Sequence, residues 1–142
     1  MKKEALLIIV VAILSTVTIS AQTKKDLERQ KNKVNYYSSE ETDNLQIWFS
    51  EQVDQMKLTE DERTEYYSIV LYHTVKMARL DDKDKNLTEE EQKSEFKVLM
   101  DKLNKEAKKM LTNEQYKIHE KSIQELANSA YAKRGWKFKK EK

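Results

Sequence analysis

Residues 111–116 read Leu-Thr-Asn-Glu-Gln-Tyr, and two close variants precede them: Leu-Thr-Glu-Asp-Glu-Arg at 58–63 and Leu-Thr-Glu-Glu-Glu-Gln at 87–92. Each copy has the form of a helix start. With Thr112 at the N-cap, its hydroxyl can accept from the backbone N–H of Gln115, and the Gln115 side chain can return to the N–H of Thr112 as a capping box. Thr59 with Glu62 and Thr88 with Glu91 repeat the spacing. Leu111 and Tyr116 stand where a hydrophobic staple would form, a feature the other copies lack because Arg63 and Gln92 occupy that position. Glu60, Asp61, Glu89, Glu90 and Glu114 put negative charge in a first turn, where the helix dipole favours it. On this reading Leu58, Leu87 and Leu111 mark helix entries, and Thr112 and Gln115 contact nothing outside their own turn. With one Gly and no Pro in 142 residues, tight turns are few and an all-α fold is expected.

Apolar residues recur at helical spacing on either side of these starts. Leu45, Trp48, Phe49, Val53 and Met56 form one stripe, with Thr42 or Asp43 as its expected cap. Tyr66, Tyr67, Val70, Leu71, Met77 and Ala78 form a second, widened by Ile69, Val75 and Leu80. Phe96, Leu99, Met100, Leu103, Ala107 and Met110 make a third. Tyr116, His119, Ile123, Leu126, Ala127, Ala130 and Tyr131 make a fourth, ended by Gly135 as a left-handed C-cap. The pattern predicts four amphipathic helices over residues 43–132, arranged as an extended helical-hairpin bundle. The stripes are narrow and the outer faces charged, so a homodimer is expected to complete the burial. Residues 22–42 read as a polar tether or frayed helix, and residues 133–142 as a basic aromatic tail.

The N-terminal segment has a different composition. Lys2 and Lys3 precede an almost wholly apolar run from Ala5 to Val17, followed by small residues up to Ala21. This is the pattern of a signal peptide over residues 1–21, which implies a periplasmic or secreted chain. There are no cysteines, so no disulfide or lipid-modified cysteine contributes. The chain holds 27 basic and 25 acidic residues, and losing Lys2, Lys3 and Glu4 brings the two closer still. Such a balance argues against a nucleic-acid binder.

Chemistry-bearing motifs are sparse. Asp82, Asp84 and Asn86 sit at the first ligand spacings of a calcium loop. Leu87 then stands where the sharp turn needs Gly, and Lys93 where the bidentate Glu belongs, so the segment reads as a solvated turn. His73 and His119 could together supply two zinc ligands, but no His-x-x-x-His or Glu-x-x-His pair organises them. Nucleophile and phosphate-loop motifs are missing, and neither an enzyme nor a cofactor is expected. In the tail, Trp136 and Phe138 lie among lysines, either as a peripheral contact to anionic lipid or as a cap on the bundle end.

Leu58 and Leu111 are 53 positions apart, with helix, charged turn and helix between them. Leu111, Thr112 and Gln115 complete a Leu-Thr-x-x-Gln motif, and Glu62 replaces the glutamine in the first copy. Over residues 45–131 the chain resembles the periplasmic LTxxQ-motif proteins of the Spy/CpxP kind. The resemblance implies a helical envelope-stress protein, a cradle-shaped dimer, and ATP-independent holding of unfolded or envelope proteins. The candidate client-binding residues are Tyr66, Tyr67, Met77, Phe96, Lys97, Met100, Lys108, Trp136 and Phe138, whose apolar members could equally be core. The alternative is a non-chaperone interaction or metal-sensing module of the envelope.

Overall fold

The computed structural model describes residues 24–137. The expected leader and Phe138 lie outside the described residues. Those residues are helical without strands, in five helices: α1 (Lys24–Asn32), α2 (Ser39–Gln55), α3 (Glu60–Ala78), α4 (Glu89–Met110) and α5 (Asn113–Arg134). The count exceeds the four stripes because α1 forms in the polar segment, with Leu27 as the one apolar residue of that helix. The chain divides into two compact units after Asn32. In the first, α1 buries none of its residues, and Asn32 Nδ2 donates to the Glu28 carbonyl at 3.0 Å.

In the second unit α3 packs along α4, α4 against α5, and α2 against α5. All three Leu-Thr copies form capping boxes, at Thr59–Glu62, Thr88–Glu91 and Thr112–Gln115. A fourth caps α2: Ser38 accepts from Glu41 N–H and Glu41 returns to Ser38 N–H at 2.9 Å. The cap is therefore Ser38, one turn earlier than Thr42 or Asp43. Ser-x-x-Glu follows the same local rule, and a box that starts one turn earlier adds a turn of helix. Each cap contributes about 1 kcal/mol.

The α2–α3 and α4–α5 connections are short. Met56 caps α2 and Lys57 takes a left-handed φ of 52°, a conformation costly for a residue with a Cβ. Only Leu111 and Thr112, both extended, separate α4 from α5. Gly135 has φ 69° and caps α5. Trp136 N–H reaches the Tyr131 carbonyl at 3.0 Å and Gly135 N–H the Ala132 carbonyl at 3.1 Å, the bonding pattern of a Schellman motif. Its hydrophobic partner is also present, with the Trp136 ring 5.1 Å from that of Tyr131.

One cluster of buried side chains serves the whole unit: Phe49, Val53 and Met56 from α2 and its cap, Tyr66, Val70 and Met77 from α3, Phe96, Leu99, Leu103 and Ala107 from α4, and Ile123 and Ala127 from α5. The 53-residue offset reappears as contact. Tyr66 meets His119 and Asp81 meets Arg134, each pair 53 positions apart. Contacts in the same register at both ends mean that α3 and α5 run in the same direction, with α4 antiparallel to both.

Candidate functional site

Two polar networks and an outer surface carry whatever chemistry the second unit has. The first network lies in the core. His119 is fully buried. Its Nδ1 lies 2.8 Å from the Tyr66 hydroxyl and its Nε2 2.9 Å from Asn104 Oδ1. Because an amide oxygen only accepts, the imidazole carries its proton on Nε2 and accepts a hydrogen bond from the Tyr66 hydroxyl at Nδ1. Burial lowers the His119 pKa to about 4 and pushes the Tyr66 phenol well above its usual range. Both groups are thus neutral in the fold. Tyr116 stacks on the imidazole with ring centres 5.4 Å apart, and Phe49 stacks on Tyr66 at 6.3 Å.

His73 is placed differently. It too is buried, yet neither ring nitrogen makes a hydrogen bond. Its Nε2 lies 3.4 Å from the half-exposed Glu106 carboxylate, within ion-pair range. With both His119 nitrogens engaged elsewhere, the two histidines do not form a joint metal site. Among the described residues no group of three or more His, Asp or Glu side chains is arranged to hold a metal ion. Asp82, the first residue of the calcium-like spacing, is buried and bonded through Oδ2 to Arg79 Nε at 3.2 Å.

The second network closes the other end of the bundle. Arg134 Nε and a terminal guanidinium nitrogen donate to the two Asp81 oxygens at 3.1 and 3.3 Å, and both side chains are almost completely buried. Tyr36 lies 4.6 Å from the guanidinium, and its phenol pKa is raised by burial and by Asp81. Trp136 is buried against Phe96 and Tyr131, with Arg134 5.3 Å from its ring. Nearby, the Tyr37 hydroxyl meets Ser129 Oγ at 2.9 Å and Lys133 pairs with Glu41. A shallow groove of about 280 Å³ runs between Tyr37, Glu41, Asn44, Leu45, Ser129 and Lys133.

The candidate client-binding residues separate into two groups. Tyr66, Met77, Phe96 and Trp136 are core residues and are closed to a macromolecule while the bundle is intact. Tyr67 and Met100 are half-buried against that core, and Lys97 and Lys108 are exposed. The large apolar side chains that do face solvent in this unit are Ile47, Tyr72, Val75 and Val98. Of these only Val75 lies on a stripe seen in the sequence. The others occupy charged outer faces, and a large apolar residue off-stripe was the available signal.

Gln115 does more than cap its own helix. Its Oε1 accepts from Thr112 N–H at 2.9 Å, and its Nε2 donates to the Met56 carbonyl at 3.0 Å. The second bond corrects the expectation that the motif reaches nothing beyond its turn. It ties the start of α5 to the end of α2, beside the Leu58 copy. A glutamate has no proton to donate there, which separates this copy from Glu62 and Glu91.

No family model matches this chain, and no curated protein or solved structure is significantly similar to it. Among the described residues no helix is long and apolar enough to cross a membrane.

Proposed function

We propose that this is an exported helical protein of the LTxxQ type that holds non-native proteins without ATP, by surface contact and not by catalysis. The observation that carries the reading is the bond from Gln115 in the last motif copy to the Met56 carbonyl, two residues before the first copy. It gives the glutamine of Leu-Thr-x-x-Gln a structural task that a generic capping box does not require. Export is supported by the basic, apolar and then small-residue segment at residues 1–21. Surface holding is supported by exposed apolar side chains: Ile47 on the acidic α2, Tyr72 and Val75 on α3, and Val98 on the lysine- and glutamate-rich α4. Lysines such as Lys97 and Lys108 attract acidic segments at long range, and the apolar side chains then add short-range contact. The bundle is proposed to act as a homodimer built from its helical hairpins.

The test is suppression of client aggregation. The chain from Gln22 onward, mixed with a reduced or heat-stressed client at stoichiometric ratio and without nucleotide, is expected to reduce light scattering. Replacing Ile47, Tyr72, Val75 and Val98 together by serine should abolish that effect while leaving the helical circular dichroism intact. Undiminished aggregation with the unaltered chain, alongside specific capture of one envelope protein, overturns the holding reading in favour of a dedicated interaction module. Sedimentation at micromolar concentration tests the dimer.

A further inference from the structure

The two buried histidines are asymmetric in what a proton would meet. His73 has the Glu106 carboxylate 3.4 Å away, at the surface. His119 has both nitrogens committed to a neutral tautomer and no carboxylate among its bonded partners. From α3 it faces Tyr66, with Tyr67 behind; from α4, the uncharged Asn104; from α5, Tyr116; and the nearest α2 ring, stacked on Tyr66, is Phe49. The charges reached through these contacts are Lys108, 5.3 Å from the Tyr116 ring, and Glu120, which interacts with the Tyr116 hydroxyl. A proton on Nδ1 would force the Tyr66 hydroxyl from donor to acceptor, taking away the acceptor its own proton now has, and would leave a cation buried among aromatic rings with no carboxylate bonded to it. Such a charge is costly unless it is paired.

We propose that His119 makes the bundle acid-sensitive, its protonation parting α3, α4 and α5 and exposing the aromatic cluster of Phe49, Tyr66 and Tyr116. The sign follows from linkage. The folded pKa of about 4 lies below the ordinary value of about 6.5, so the open form binds the proton more readily. Stability from the neutral imidazole is complete above pH 6.5 and is lost as pH falls towards 4. The open population should rise about 100-fold between pH 7 and pH 4 on this account. Use of the exposed cluster to hold non-native protein rests on the function proposed above, whereas the opening does not.

Hydrogen exchange of α3 and α5 amides in the chain from Gln22 onward, corrected for intrinsic rates, reads the opening directly, with an apolar dye reporting the rings. Carboxylates ordinarily titrate in the same range, so the comparison is with His119→Gln, which keeps a donor for Asn104 and cannot charge. Protection should fall about 100-fold more in the parent chain than in His119→Gln across pH 7 to 4. In Tyr66→Phe the neutral imidazole loses its donor, so opening should begin at higher pH. His73→Gln should leave the transition where it was. Equal pH dependence in the parent and His119→Gln overturns the proposal. If His119→Gln does not fold, an unmoved transition in Tyr66→Phe overturns it instead. Acid opening without any gain in suppression of client aggregation leaves the opening standing and counts against client holding by this cluster.

Discussion

Gln115→Glu is the substitution that separates a local cap from a long-range tie. It keeps an oxygen for the Thr112 N–H, so the box survives. It removes the donor that lies 3.0 Å from the Met56 carbonyl and sets a carboxylate oxygen against that carbonyl. Leaving the half-buried Met56 acceptor unmatched costs about 1–3 kcal/mol, a figure that already includes the lost bond. A loss near 2 kcal/mol follows, or a Tm roughly 10 °C lower for a domain of this size. The reciprocal change Glu62→Gln keeps its own box and has no second bond to lose, so its cost should stay below about 0.5 kcal/mol. Urea denaturation of both variants, fitted with a common slope, measures the difference. The Gln115→Glu deficit should also shrink below about pH 4.3, where a protonated carboxyl regains a donor. Equal destabilisation by the two substitutions, or no recovery in acid, would refute the claim that the glutamine bridges α5 to α2.

Other substitutions probe the two ends of the bundle. Lys57→Gly relieves a left-handed residue at φ 52° and should raise stability by about 0.5–1 kcal/mol in chemical denaturation. Trp136→Ala removes a buried ring from Phe96 and Tyr131 and should cost about 3–5 kcal/mol, with exchange protection lost first at the C-terminal end of α5. Arg134→Ala leaves the Asp81 carboxylate buried and unpaired and should cost about 3–5 kcal/mol. The double variant with Asp81→Asn should recover part of that, as a double-mutant cycle would show.

The legible part of this fold was local. A capping box spans four residues, and its reciprocal hydrogen bonds depend only on residue type and spacing, so Thr59, Thr88 and Thr112 identified their helices before any coordinates. Ser38 with Glu41 obeyed the same rule. It went unread because the apolar stripe of α2 begins later, at Leu45, and the stripe drew the start inwards. Gly135 was legible for the same reason: the left-handed C-cap is a property of one residue's missing Cβ. The polar segment before α2 left α1 open between tether and frayed helix, because a helix that buries nothing leaves no apolar stripe to find.

The candidate site was less legible. Tyr66, Met77, Phe96 and Trp136 have the composition of a binding surface, and periodicity cannot say whether a stripe meets a client or a neighbouring helix. Packing made them core. Tyr72 and Val98 have no special spacing, and only the arrangement of α3 and α4 leaves them in solvent.

By itself the sequence determined where α3, α4 and α5 begin, where α5 ends, and that the described residues would be helical, because those outcomes rest on interactions within one turn. Tertiary structure decided the rest. Gln115 finds Met56 across 59 positions, His119 finds Tyr66 across 53 and Arg134 finds Asp81 across 53. Each pair is two polar groups that must satisfy one another once water is excluded. No local spacing encodes such a partner, because it exists only after the helices have packed and removed the solvent that would otherwise have served.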